Sequence, residues 1–122
     1  MILLNDFYTM SNYEPAPGAV KAKIFINKHH QILEGHFPGL PIVPGVCMMQ
    51  IIREIMEFTS GKDLRLTAAD TMKFLSVINP DQNSEVEVAI NYAEFSDHYV
   101  VSATLFASTI TFFKLKATMT IN

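Results

Sequence analysis

Charge is scarce in this chain. Only 17% of its 122 residues are Asp, Glu, Lys or Arg, while 49% are hydrophobic; an average soluble domain carries roughly 25% charged residues. This balance excludes intrinsic disorder, which requires low hydrophobicity and high charge. Basic charge is shortest of all. Nine Lys and Arg against twelve Asp and Glu leave a net charge of −3, and the basic residues are scattered singly. The footprint of a nucleic-acid binder is missing, and so is a polybasic membrane patch. Cysteine is nearly absent. Cys47 alone cannot close an internal disulfide, which fits a reducing cytoplasm. Long apolar runs are also lacking: none approaches the roughly 20 residues of a membrane span. The start, Met1-Ile2-Leu3-Leu4-Asn5-Asp6, has no basic leader and too short an apolar stretch for a signal peptide. There are no repeats, low-complexity tracts or linkers, so residues 1–122 read as one domain. What is present is a hydrophobic surplus, with a mean hydropathy of +0.21. A small chain of this kind hides apolar surface in a cavity or against another chain.

The order of elements narrows the fold. Residues 1–17 read as a mixed segment closed by a loop at Tyr13–Gly18. Ala19–Asn27 alternates, with Val20, Ala22, Ile24 and Ile26 on one side and Lys21, Lys23 and Phe25 on the other, as in a half-buried strand. Ile32–Gly45 carries three prolines and three glycines, which exclude a regular helix or a central strand there. The segment is nonetheless apolar, and an ordered apolar loop is a candidate site, because loops normally run over the surface. Val46–Thr59 reads as a helix. Its polar residues Gln50, Arg53, Glu54 and Glu57 recur at spacings of three and four, so they form one stripe on an otherwise apolar, buried cylinder. Gly61 is a plausible stop. Ala69–Ile78, Glu85–Ile90, Tyr99–Ala107 and Ile110–Ile121 read as strands, with turns at residues 79–83 and 95–98. Short connections favour antiparallel pairing. The expected class is therefore α+β, an antiparallel sheet wrapped around one long buried helix.

At His36-Phe37-Pro38-Gly39-Leu40-Pro41-Ile42-Val43-Pro44-Gly45-Val46 the chain resembles the hot-dog-fold 3-hydroxyacyl-acyl-carrier-protein dehydratases of bacterial fatty acid synthesis. The His-Phe-Pro-Gly block, followed six residues later by Pro-Gly-Val at the opening of a buried helix, carries the resemblance. Lys73-Phe74 and Asn79-Pro80-Asp81 resemble the family's later strand and turn. The resemblance implies a hot-dog fold and at least a dimer, with sheets paired edge to edge. It places each site at the subunit interface, with histidine from one subunit and a helix carboxylate from the other. It implies a substrate borne by acyl-carrier protein, water elimination to a 2-enoyl thioester, and neither metal nor cofactor. His29, His30, His36 and His98 show no ligand spacing with Cys47.

Elimination needs a base at the carbon beside the thioester carbonyl and an acid at the 3-hydroxyl. His36 suits the base. A backbone N–H at Gly45, with the positive end of the helix dipole, suits an enolate-like oxygen. Phe37, Gly39, Pro44, Gly45 and Val46 are the expected substrate-binding residues. The family places its helix carboxylate fourteen residues after the histidine; here that position is Gln50. An amide holds a hydroxyl or a water but gives up no acid proton. The family often has glutamine four residues after its glutamate. In this chain the order is reversed, Gln50 then Glu54, and residues four apart share a helix face about 6 Å apart along the axis. The expectation is that Glu54 supplies the acid through water, with His36, Gln50 and Glu54 as the catalytic set. The alternatives are a catalytically weak acyl-binding subunit that pairs with an active homologue, and a hot-dog thioesterase. The His-Phe-Pro-Gly loop belongs to the dehydratases, which places the thioesterase last.

Overall fold

The computed structural model describes residues 2–36, Gly39 and 41–122, with only the backbone of Gly35 and His36. Its strands are β1 (Tyr8–Ala16), β2 (Ala19–Ile26), β3 (Leu64–Phe74), β4 (Glu85–Glu94), β5 (His98–Ala107) and β6 (Ile110–Ile121); its helices are α1 (Gln31–His36) and α2 (Gly45–Ser60). The strands form one sheet in the order β1-β2-β4-β5-β6-β3, and every neighbouring pair is antiparallel. The apolar face of this sheet meets α2. Ile51, Ile52, Ile55 and Met56 of the helix and Ile24, Val86, Val101, Leu105 and Phe113 of the sheet are all buried in one cluster. Each such side chain contributes about 1.5–3 kcal/mol when removed from water. The alternation expected in β2, β4 and β6 is what the burial shows, with Val20, Ala22, Ile24 and Ile26 buried in β2 and Leu115, Ala117 and Met119 in β6.

Four readings are corrected. The N-terminal segment is a strand from Tyr8, in which Pro15 lies opposite Val20. β1 is at the sheet edge, where a proline removes no ladder bond from an outer neighbour. The loop Ile32–Gly45 is not free of helix: α1 occupies Gln31–His36, before the first proline at position 38 takes effect. β3 begins at Leu64 rather than Ala69. Finally, the short connections do not make every consecutive pair of strands neighbours, and β3 lies apart from β4. It pairs with β6 at the opposite edge, so α2 carries the chain across the sheet and residues 75–84 bring it back beside β2. Gly61 does stop the helix, at φ +70°, with its N–H donating to the Glu57 carbonyl at 2.9 Å. Val46 and Phe58, near the two ends of α2, are exposed, so outside its polar stripe the helix is apolar but not fully buried in a single chain.

Candidate active site

The site is built on the first turns of α2. Pro44 caps the helix in an extended conformation (φ −62°, ψ 145°), and among the described residues this start has no side-chain cap hydrogen bond. A helix start leaves its first N–H groups without intrahelical partners, and they carry the positive end of the dipole. Pro44, Gly45 and Val46 therefore come together as expected.

Two grooves flank this helix start. One, of about 490 Å³, runs past Pro44, Gly45, Met48, Phe74, Leu75 and Val77. The other, of about 250 Å³, is lined by Val46, Met49, Gln50, Arg53, Leu66 and Met119, among others. Phe74 governs the first. Its ring stacks on Phe113 with centroids 4.8 Å apart and lies against Gly45, where a Cβ would stand 2.7 Å from Cε1 and 2.8 Å from Cζ. A side chain at this position would have to displace the far edge of that half-exposed ring. Gly45→Ala should therefore shift the Phe74 ring on Phe113 at a cost of about 1 kcal/mol, the low end for overpacking, because the ring is half exposed and can give. Phe74→Ala added to it should recover part of that loss. Chemical denaturation of both single variants and the double variant measures the coupling, and additivity within about 0.5 kcal/mol would refute the contact.

Gln50 and Glu54 are in contact, and the polar stripe of α2 is a network rather than a solvated face. Glu54 is 6% exposed. Its Oε2 accepts hydrogen bonds from the Leu3 N–H at 2.8 Å and from Gln50 Nε2 at 2.7 Å; its Oε1 accepts from the Leu4 N–H at 2.8 Å and the Tyr8 hydroxyl at 3.1 Å. Arg53 Nη1 donates to Gln50 Oε1 at 3.2 Å, and Arg53 Nε donates to the Leu64 carbonyl at 2.7 Å. Glu57 accepts from the Leu64 N–H at 2.9 Å and lies 3.7 Å from Arg53. Burial, and then the Glu54 charge, push the Tyr8 phenol above its ordinary value, so it remains a donor.

This geometry turns Glu54 away from the grooves. A carboxylate has about four lone-pair positions, and four donors fill them here. It faces the N-terminal turn, and it lines neither groove. Gln50 does line a groove. Gly39 is exposed in a turn at φ +75°. His36 ends α1; its side chain and the whole of Phe37 lie outside the described residues. Cys47 is a buried core residue, as its place on the apolar face suggests, and burial followed by the Glu54 charge raises its thiol. Among the described residues, no three metal-binding side chains gather. The sequence reading missed Tyr8 and the Leu3 and Leu4 amides, whose bonds to Glu54 span about fifty positions and leave no local signal. It also missed the packing of Phe74 on Gly45; the resemblance of Lys73-Phe74 to the family's later strand was its only trace.

The family model of ApeI-like proteins, the ApeI dehydratases, matches residues 12–109. The chain belongs to this family. It is 31% identical over 84 residues to the 3-hydroxyacyl-[acyl-carrier-protein] dehydratase FabZ of Clostridium acetobutylicum, covering 63% of this chain and 59% of that protein. With the enzyme of the same name from Enterococcus faecalis it is 29% identical over 85 residues, covering 63% and 60%. The chain thus spans about three fifths of the length of these relatives. The solved dehydratase heterocomplex ApeI:P from Xenorhabdus doucetiae superposes with a TM-score of 0.74 at 18% identity, over 92% of this chain and 96% of that one. The architecture of this ApeI-like chain is accordingly the hot-dog fold.

Proposed function

We propose that this ApeI-like chain is a subunit of a dehydratase that removes water from 3-hydroxyacyl thioesters carried by acyl-carrier protein. The observation that carries this reading is the uncapped start of α2, which opens onto an apolar groove beneath Phe74. Such a groove accepts an acyl chain, and the helix start accepts the thioester oxygen as negative charge builds on it. The His36 imidazole takes the C2 proton. The electron pair forms the C2–C3 double bond as the C3–O bond breaks. With Glu54 turned inward, the leaving hydroxide takes up the proton that His36 has just acquired, giving water and the 2-enoyl thioester. One imidazole serves both steps because C2 and C3 are adjacent. Gln50 holds the 3-hydroxyl in place.

Among the described residues, the outer edge of β3 has no neighbour in the sheet order. An eleven-residue edge strand is a template for pairing, and we assign it to a second subunit in the cytoplasm, either another copy or a related dehydratase. The inward Glu54 favours weighing the second case, in which the partner contributes a carboxylate; the ApeI:P structure of a relative is a heterocomplex by its own description.

The deciding assay supplies the purified chain with 3-hydroxyacyl-carrier protein and follows enoyl absorbance and free thiol together. Enoyl product without thiol is expected. Thiol without enoyl product would make the chain a thioesterase. Activity that emerges only on adding a related dehydratase, or only in the Gln50→Glu, Glu54→Gln double variant, would establish the partner-subunit reading instead.

A further inference from the structure

We propose that Glu54 is a positioning residue: held by the N-terminal turn, it fixes the sense in which the Gln50 amide meets the substrate's 3-hydroxyl. The inference rests on the reading above in that Gln50 faces that hydroxyl. A glutamine amide is nearly symmetric in shape, so rotation by half a turn exchanges its oxygen and its NH2 group. At Gln50 the neighbours break the symmetry. A carboxylate oxygen lies 2.7 Å from Nε2 and a guanidinium nitrogen 3.2 Å from Oε1. Reversing the amide would set its carbonyl against the carboxylate and its NH2 against the guanidinium. Each charge-assisted bond lost in this way changes the population by on the order of tenfold or more.

The two clamps are themselves immobilised. The other oxygen of Glu54 is occupied by the Leu4 N–H and the Tyr8 hydroxyl, and Oε2 also accepts from the Leu3 N–H. Leu3, Phe7 and Tyr8, which fix that turn, are all buried. Arg53 is tied to the Leu64 carbonyl. The line of contact runs from the N-terminal turn through Glu54 to Gln50 in the groove.

Glu54→Gln keeps the shape and removes the charge. We expect kcat to fall about tenfold with KM within about twofold, because orientation matters most in the transition state. Tyr8→Phe removes one bond to Oε1 and leaves the Oε2–Gln50 contact in place; it should lower stability but keep kcat within about twofold. An independent reading comes from ¹⁵N-labelled protein, where the Gln50 side-chain amide protons should be well separated in the wild type and draw together in Glu54→Gln. Unchanged Gln50 resonances in Glu54→Gln, or equal losses of kcat in Glu54→Gln and Tyr8→Phe, would overturn the positioning role. A wild type that forms no enoyl product fails the dehydratase reading separately, and the resonances then decide the orientation by themselves.

Discussion

His36→Ala should lower kcat by roughly 10²–10⁴-fold, the range in which a positioned general acid–base group contributes. The size of the loss follows from what surrounds the site. The groove beside Gln50 has Arg53 and Arg65 as its ionisable lining, and the groove beside Gly45 has none. Arginine stays charged and cannot accept a proton. Glu54, the nearest carboxylate on the helix, is filled by donors. No described side chain in the grooves can take over proton transfer, so the loss should not be rescued by pH. What remains should be the contribution of the helix start and of binding, with KM altered far less than kcat. Steady-state assays across pH with both proteins check this; a loss under about fivefold would remove His36 from the chemistry.

The parts of this molecule that were legible in its sequence are those governed by short-range periodicity. Val20, Ala22, Ile24 and Ile26 alternate, and β2 forms where they do. The apolar sweep from Cys47 to Met56 marks α2, and Gly61 ends it in the left-handed conformation that glycine tolerates. Contacts between distant segments were not legible. Pro15 looked like a loop residue because the sequence does not say that β1 is an edge strand. The register of β3 against β6 contains two shifts, between Leu66 and Ala68 and between Ala69 and Thr71, and these blur the alternation that would have shown the strand from Leu64. Glu54 was placed correctly on the face of Gln50 by the spacing of four. Its burial was not visible, because three of the four donors that make burial tolerable, at Leu3, Leu4 and Tyr8, lie about fifty positions earlier in the chain.

Glu54→Leu should destabilise the protein by about 3 kcal/mol, in the range seen when one partner of a buried polar cluster is removed. Two outcomes compete. A leucine buries more apolar surface than a carboxylate, which would gain roughly 1–2 kcal/mol if nothing else changed. Against this, the Leu3 and Leu4 N–H groups, the Tyr8 hydroxyl and one N–H of Gln50 all lose their acceptor. A donor stranded in the interior costs about 1–3 kcal/mol. The Gln50 amide, which lies in a groove, can turn to water. The N-terminal turn cannot easily follow. Leu3, Phe7 and Tyr8 are 1%, 0% and 1% exposed, so freeing their backbone to reach solvent would also expose these side chains. The turn is therefore caught between unpaired amides and an exposed core, and the loss exceeds the gain. Denaturant unfolding should show a lower midpoint, and hydrogen exchange should show the Leu3 and Leu4 amides losing protection before the rest of the sheet. A Glu54→Leu protein within about 0.5 kcal/mol of the wild type would mean that the carboxylate does not hold the N-terminal turn in solution.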